Sequence, residues 1–156
     1  MRLYQLKRVQ CLPLPLNECW SFFSSPRNLS QIIPRDMDFT IVSENLASEM
    51  FAGQIIRYRL RPLLGIPFFW VTEITHVEQQ VYFVDEQRSG PYKLWHHAHF
   101  FKAVPGGTEM TDLVHYKIPF WLLGNLAHSL FIRKKLGNIF DYRREVLQHK
   151  FGLLSA

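Results

Sequence analysis

Between residues 37 and 118 the chain reads as six strand-like segments joined by links of a few residues, and one helical stretch over 122–150 follows them. The segments fall at 37–44, 51–61, 68–78, 81–89, 92–104 and 108–118. Turn-forming residues separate them at Asn45–Ser48, Pro62–Pro67, Gln79-Gln80, Gly90-Pro91 and Pro105-Gly106-Gly107. Links this short call for antiparallel neighbours, because a parallel crossover needs a dozen or more residues. Another strand is expected at 3–12, ended by Pro13 and Pro15, with two short helices after it. Leu16, Cys19, Trp20 and Phe23 recur at helical spacing within 16–24, Pro26 stops that helix, and 28–33 forms a second one closed by Pro34. At about 1.5 Å per residue the C-terminal helix runs roughly 40 Å, long enough to cross a whole sheet. Gly137 marks a point where it could bend. One helix must then cover one face of seven strands. Only a curved sheet lets it do so, and the curvature leaves a hollow between sheet and helix. The expected class is α+β.

With 156 residues, the chain is expected to form one domain over 1–156. A domain of that size buries roughly two-thirds of its unfolded surface and needs no disulfide or structural metal. Its 47% hydrophobic and 20% charged residues suit a globular protein. Thirteen Phe, six Tyr and four Trp are a less ordinary aromatic share; any one ring fits a core first, but large rings also line apolar cavities. Cys11 and Cys19 form no CxxC and have no evident activating base, so they read as reduced thiols. The start lacks the apolar run of a signal peptide, and no stretch of about 18 apolar residues occurs, so a cytoplasmic location is expected. The net charge of +5 is concentrated late, at Arg133, Lys134, Lys135, Arg143, Arg144 and Lys150, and reads as a solvated helix face. No GxSxG, P-loop or GxGxxG occurs. Nucleic-acid binding is not expected, because the rings suit an inner wall better than a basic outer surface.

The turns also set register. A tight turn at Pro105-Gly106 places Ala103 opposite Thr108, Phe101 opposite Met110, His99 opposite Asp112, His97 opposite Val114 and Trp95 opposite Tyr116. That face carries the larger apolar groups and is assigned inward. Lys102 with Glu109, His96 with His115 and Leu94 with Lys117 then face outward. A turn at Gly90-Pro91 brings Asp85 near His97, Gln87 near Trp95 and Phe83 near His99. The preceding hairpin points Trp70, Thr72, Ile74 and His76 inward and sets Glu73 against Glu86 in solvent. The inner wall thus gains a polar belt of Asp85, His97, His99 and Asp112, with Gln87 and Tyr116 beside it. Its apolar lining is expected from Tyr58, Trp70, Phe83, Trp95, Phe101, Met110 and Val114, with Phe140 from the helix. Leu126, Leu130, Arg133, Leu136, Ile139, Phe140, Arg143 and Leu147 share the helix face turned to the sheet, and either Arg133 or Arg143 could reach the belt.

Five stretches carry a family likeness: W-S-F-F-S-S-P-R-N-L at 20–29, F-V-D-E-Q-R-S-G-P-Y at 83–92, W-H-H-A-H-F-F at 95–101, T-E-M-T-D-L-V-H-Y at 108–116 and F-I-R-K-K-L-G-N-I-F-D-Y-R at 131–143. With the element order, these resemble the START-like or SRPBCC superfamily, in particular its small bacterial ligand-binding or polyketide-cyclase-like branch. The resemblance implies a helix-grip fold: a seven-stranded curved antiparallel sheet around a long C-terminal helix, with two short helices after the first strand. It also implies a hydrophobic ligand, lipid-, quinone- or polyketide-like, in an internal cavity. It implies no particular reaction, because the superfamily holds both binders and enzymes.

Three readings of the belt remain open. The Asp and His groups can satisfy one another as buried hydrogen-bond partners. They can meet the polar end of an apolar ligand. Or an Asp beside a His can tune an imidazole as general acid or base for cyclase or dehydratase chemistry, with His97, His99, Asp85 and Asp112 as catalytic groups. His97 and His99 at i, i+2 could also form a 2-His-1-carboxylate metal set with Asp85 or Asp112, but such spacing arises readily by chance, and neither metal nor cofactor is expected. A last alternative concerns Phe120 and Trp121, which precede Arg133-Lys134-Lys135. That segment would let a lipid carrier dock on an anionic membrane.

Overall fold

The computed structural model describes residues 2–63, 65–119 and 126–154. Strand β1 (Tyr4–Leu12) is followed by α1 (Leu16–Phe23), a 3-10 turn at Pro26–Asn28, the single-turn α2 (Leu29–Ile32) and a second 3-10 turn at Arg35–Met37. Then come β2 (Thr40–Ile41), β3 (Ile55–Leu63), β4 (Ile66–Glu78), β5 (Tyr82–Ser89), β6 (Leu94–Val104), β7 (Gly107–Lys117) and the long helix α3 (Leu126–Phe151). The strands form one antiparallel seven-stranded sheet in the order β1-β7-β6-β5-β4-β3-β2. This is the expected α+β arrangement of a curved sheet with a long helix and two short ones after the first strand.

The β6–β7 hairpin has the register its turn demands. Pro105 presets the first central position, and Gly106 takes the left-handed φ of 82° at the second. Val104 therefore pairs with Gly107, His99 with Asp112 and His97 with Val114. Gly107 is required for a different reason: a Cβ there would lie 2.0 Å from the carbonyl oxygen of Leu12, where the end of β1 crosses.

Two expectations of strand layout are corrected. The strand expected over 37–44 shrinks to Thr40–Ile41, because the 3-10 turn runs to Met37 and Asp38 adopts a left-handed φ of 45°. His76 does not face inward. An irregularity between Ile74 and His76 breaks the alternation, so Val77 packs on the core and His76 is exposed. Similar irregularities occur between Leu60 and Leu63 and between Val71 and Thr72. Such bulges bend and twist strands, and all three fall in β3–β5. Glu73 and Glu86 do sit opposite each other, and Arg88 reaches both from outside, at 2.5 and 3.1 Å.

Helix α3 runs unbroken through Gly137. Ile132, Leu136 and Phe140, at i, i+4 and i+8, pack with Leu6 of β1 and Val114 and Tyr116 of β7. Arg143 and Leu147 continue the buried row. Leu130, expected on this face, is 61% exposed, and Arg133 is exposed as well, because Ile132 takes the inward position one step round the helix. The side chain of Leu126 lies outside the described residues, as do Phe120, Trp121 and Leu122. On the other side α1 buries Cys19, Trp20 and Phe23. Trp20 meets Phe83 and Phe101 edge-on at 6.0 and 5.3 Å. No helix among the described residues is long and apolar enough to cross a membrane.

Both cysteines are free. Cys11 is exposed, whereas burial beneath α1 pushes the Cys19 thiol up to about 12. Titration with a chromogenic disulfide reagent should modify one thiol quickly in the native protein, and the second only after denaturant is added. Equal rates for both would contradict this packing of α1.

Candidate functional site

Residues two apart on a strand share a face. His97 and His99 of β6 therefore point to the same side, where β5 supplies Asp85 opposite His97 and β7 supplies Asp112 opposite His99. His97, His99 and Asp112 are no more than 7% exposed. His97 Nε2–H donates to Asp112 Oδ1 at 2.9 Å, and His99 Nε2–H donates to Asp85 Oδ2 at 2.9 Å. A carboxylate can only accept, so those two nitrogens carry the protons. The remaining nitrogens lie close to the other carboxylates: His97 Nδ1 is 3.3 Å from Asp85 Oδ2, and His99 Nδ1 is 3.0 Å from Asp112 Oδ1. The second approach lies off the N–H direction and makes no hydrogen bond. The imidazoles lie against each other with centroids 3.7 Å apart and planes tilted by 36°, and Phe83 stacks on His99 at 4.2 Å.

Two further groups complete the cluster. Trp95 Nε1 donates to Asp85 Oδ1 at 3.3 Å. From α3, Arg143 Nη1 donates to Asp112 Oδ1 at 3.2 Å, while its guanidinium lies over the rings of Phe23 and Phe140 at 5.1 and 5.9 Å. Of the two arginines considered from sequence, Arg143 reaches the belt and Arg133 does not.

These neighbours split the titrations. Burial would raise both carboxyls, but the Arg143 guanidinium, helped by the imidazole N–H groups, holds Asp112 well below the usual carboxylate range. The two histidines hold Asp85 down in the same way. Burial disfavours charge on either imidazole. In His99 the two carboxylates outweigh it and its pKa rises; in His97 burial and the adjacent His99 charge prevail and its pKa falls. With His99 protonated and His97 neutral, the direction in which each is pushed, the two carboxylates are balanced by His99 and Arg143. A buried cluster that sums to zero avoids the large cost of an uncompensated charge.

Beside the cluster lies a cavity of about 180 Å³. Tyr58, Trp70, Phe83, Trp95 and Phe140 line it, together with Asp85, His97 and His99. Burial pushes the Tyr58 phenol up, which keeps it a neutral hydrogen-bond donor. The other residues expected on this wall lie elsewhere. Phe101 packs against Trp20 and Phe23 under α1, and Met110 sits in the same core. Val114 and Tyr116 are covered by α3. Gln87 clamps the backbone of Tyr92, donating to its carbonyl at 2.6 Å and accepting from its N–H at 3.2 Å. Asp112 stands behind the imidazoles, off the lining. The physical reason is that α3 lies over β1 and β7, so the open space is left over β3–β6. Sequence reasoning missed Phe22, Leu29, Ile32, Ile33, Met37, Phe39 and Met50, which close the cavity from the α1–β3 segment. Leu60 was recoverable, since it shares an alternation face with Tyr58.

No family model matches the chain, and neither does any curated protein. Solved structures do match in fold. Protein CV1439 from Chromobacterium violaceum superposes with a TM-score of 0.69 at 11% identity, over 97% of this chain and 99% of the other. Protein Ms6760 from Mycobacterium smegmatis gives 0.63 at 18% identity, over 96% and 98%. Ara h 8.0201 gives 0.63 at 10% identity, over 95% and 99%. At such identities the likeness is one of fold: the chain has the helix-grip fold of SRPBCC and Bet v 1-like proteins.

Truncating Arg143 tests the balance of the cluster. Arg143→Leu should cost about 3–5 kcal/mol, since it leaves the buried Asp112 carboxylate without its cation. Arg133→Leu, on the exposed side of the same helix, should stay within about 0.5 kcal/mol of the parent. Urea unfolding of the two variants measures the difference. Equal stabilities would mean that Arg143 does not compensate Asp112.

Proposed function

We propose that the chain binds a small apolar molecule in this cavity, with the molecule's polar end against Asp85, His97 and His99. The observation that carries this reading is a ring-walled hollow whose charged groups, among the described residues, gather around the Asp85–His97–His99 cluster. Ligand sites are typically apolar clefts with a few convergent polar groups. The volume bounds the ligand. An apolar cavity of about 150 Å³ accepts benzene, whereas drug-sized ligands occupy roughly 300–1,000 Å³. A space of about 180 Å³ suits one substituted ring, such as a small phenol or quinone, better than a long lipid chain.

One observation favours a catalytic alternative. His97 and His99 touch, yet their surroundings push their pKa values in opposite directions, the pattern that separates acid and base roles. A cyclase- or dehydratase-type proton transfer would use His99 as the acid. Binding is the primary reading because it asks only for the hollow and its polar wall.

Calorimetric titration with 4-propylphenol tests the binding reading. Saturable one-to-one binding is expected. Asp85→Asn should weaken it about tenfold or more, the usual effect of losing a charged hydrogen-bond acceptor. Ile74→Trp should abolish it by filling the hollow, because Ile74 is fully buried on the lining. If toluene, 4-methylphenol and 4-propylphenol all fail to bind at millimolar concentration, or bind the Ile74→Trp protein equally well, the proposal fails.

A further inference from the structure

We infer that Asp85, His97 and His99 form a site for one first-row divalent transition-metal ion on the cavity wall, with positions left open toward the ligand. The inference deepens the binding reading, since the ion would be what the ligand's polar end meets. It departs from the sequence expectation of no metal.

The geometry is that of a coordination set. His97 Nδ1 and His99 Nε2 lie 3.3 and 2.9 Å from Asp85 Oδ2, and the three residues can each offer one donor atom within 4.8 Å of the others. Ligands about 2.1 Å from a metal stand about 3.0 Å apart at right angles and about 3.4 Å apart at the tetrahedral angle. Two imidazoles with one carboxylate suit zinc, iron(II) or cobalt(II) rather than magnesium or calcium.

An outer partner for such a site is also at hand. Metal-bound histidines usually pass their other N–H to a carboxylate. His97 Nε2 already donates to Asp112 Oδ1 at 2.9 Å, and His99 Nδ1, which makes no hydrogen bond, lies 3.0 Å from the same oxygen and would take up the proton that Nε2 gives up on binding the ion. Arg143, itself on the cavity lining, neutralises that carboxylate. Trp95 holds Asp85 through Oδ1 and leaves Oδ2 for the ion. The three donors line the cavity, and Asp112 does not.

Charge then selects the ligand. Two carboxylates and one guanidinium leave one negative charge when both imidazoles are neutral, and a divalent ion turns this into one positive charge. The complementary ligand is a small apolar molecule ending in an anionic oxygen: a carboxylate, phenolate or enolate.

The test uses the full chain, stripped with a chelator and titrated with Zn²⁺ and Co²⁺. One equivalent should bind, with Co²⁺ giving visible d–d bands. Imidazole ¹⁵N NMR should place zinc on His97 Nδ1 and His99 Nε2. Asp85→Asn should weaken Zn²⁺ by more than the roughly 10–100-fold that loss of an outer partner costs. The double variant His96→Ala/His115→Ala, which removes the imidazole pair on the outer face (centroids 6.1 Å apart), should bind as the parent does. The NMR readout on the parent protein decides the matter even if Asp85→Asn does not fold. Absence of saturable binding, or zinc on other nitrogens, overturns the inference. 4-Propylphenol binding to the stripped protein then stands or falls separately, so the metal site and the cavity reading cannot be confused.

Discussion

The buried ion pair between Arg143 and Asp112 joins the two halves of this molecule. Arg143 comes from α3 and Asp112 from β7, and the oxygen they share also receives His97. Without the guanidinium, Asp112 would be a carboxylate in an apolar interior beside another carboxylate, an arrangement that favours protonation or unfolding. With it, Asp112 stays ionised and can orient His97. The docking of the helix and the order of the belt are therefore one problem with one solution. The apolar row of Ile132, Leu136 and Phe140 brings α3 to the sheet, and the ion pair sets what it meets there.

The position of α3 also decides where the hollow lies. Because α3 covers β1 and β7, the inner faces of those strands become ordinary core, and Val114 and Tyr116 pack against it. The bulged strands β3–β5 face α3 across a hollow, with Leu136 and Phe140 on the helix side. Space remains under them, closed from the far side by α1, α2 and the residues up to Met50. The site sits at the seam between these regions, one side of the imidazole pair against the packed half and the other against the cavity. That placement explains why Asp112 and Asp85, symmetric in the sequence pattern, have different surroundings. One is held behind the rings by an arginine; the other faces open space.

Much of this was legible beforehand where the physics is local. The Pro105-Gly106 turn dictates the β6–β7 register, and that register brings His97, His99 and Asp112 together. The Gly90-Pro91 turn does the same for Asp85. The errors share a cause. His76 was placed inward because strict alternation was assumed, and the bulge before it broke that alternation. Leu130 and Arg133 were placed inward because a helical stripe is broad, and packing chose only part of it. Phe101, Met110, Val114 and Tyr116 were assigned to the cavity because strand pattern shows which face is inward but not what covers it. The residues of the α1–β3 connection were missed because irregular chain has no period to read.

The sequence by itself determined the helix-grip architecture, the β5–β6 and β6–β7 registers and the shared face of Asp85, His97, His99 and Asp112, since hairpin turns and strand alternation act over a few residues. Only the tertiary structure decided which inward residues meet open space, which arginine enters the belt and how the two imidazoles divide their protonation. Those outcomes depend on distances between elements far apart in the chain, and on fields that a few ångströms of helix position can reverse.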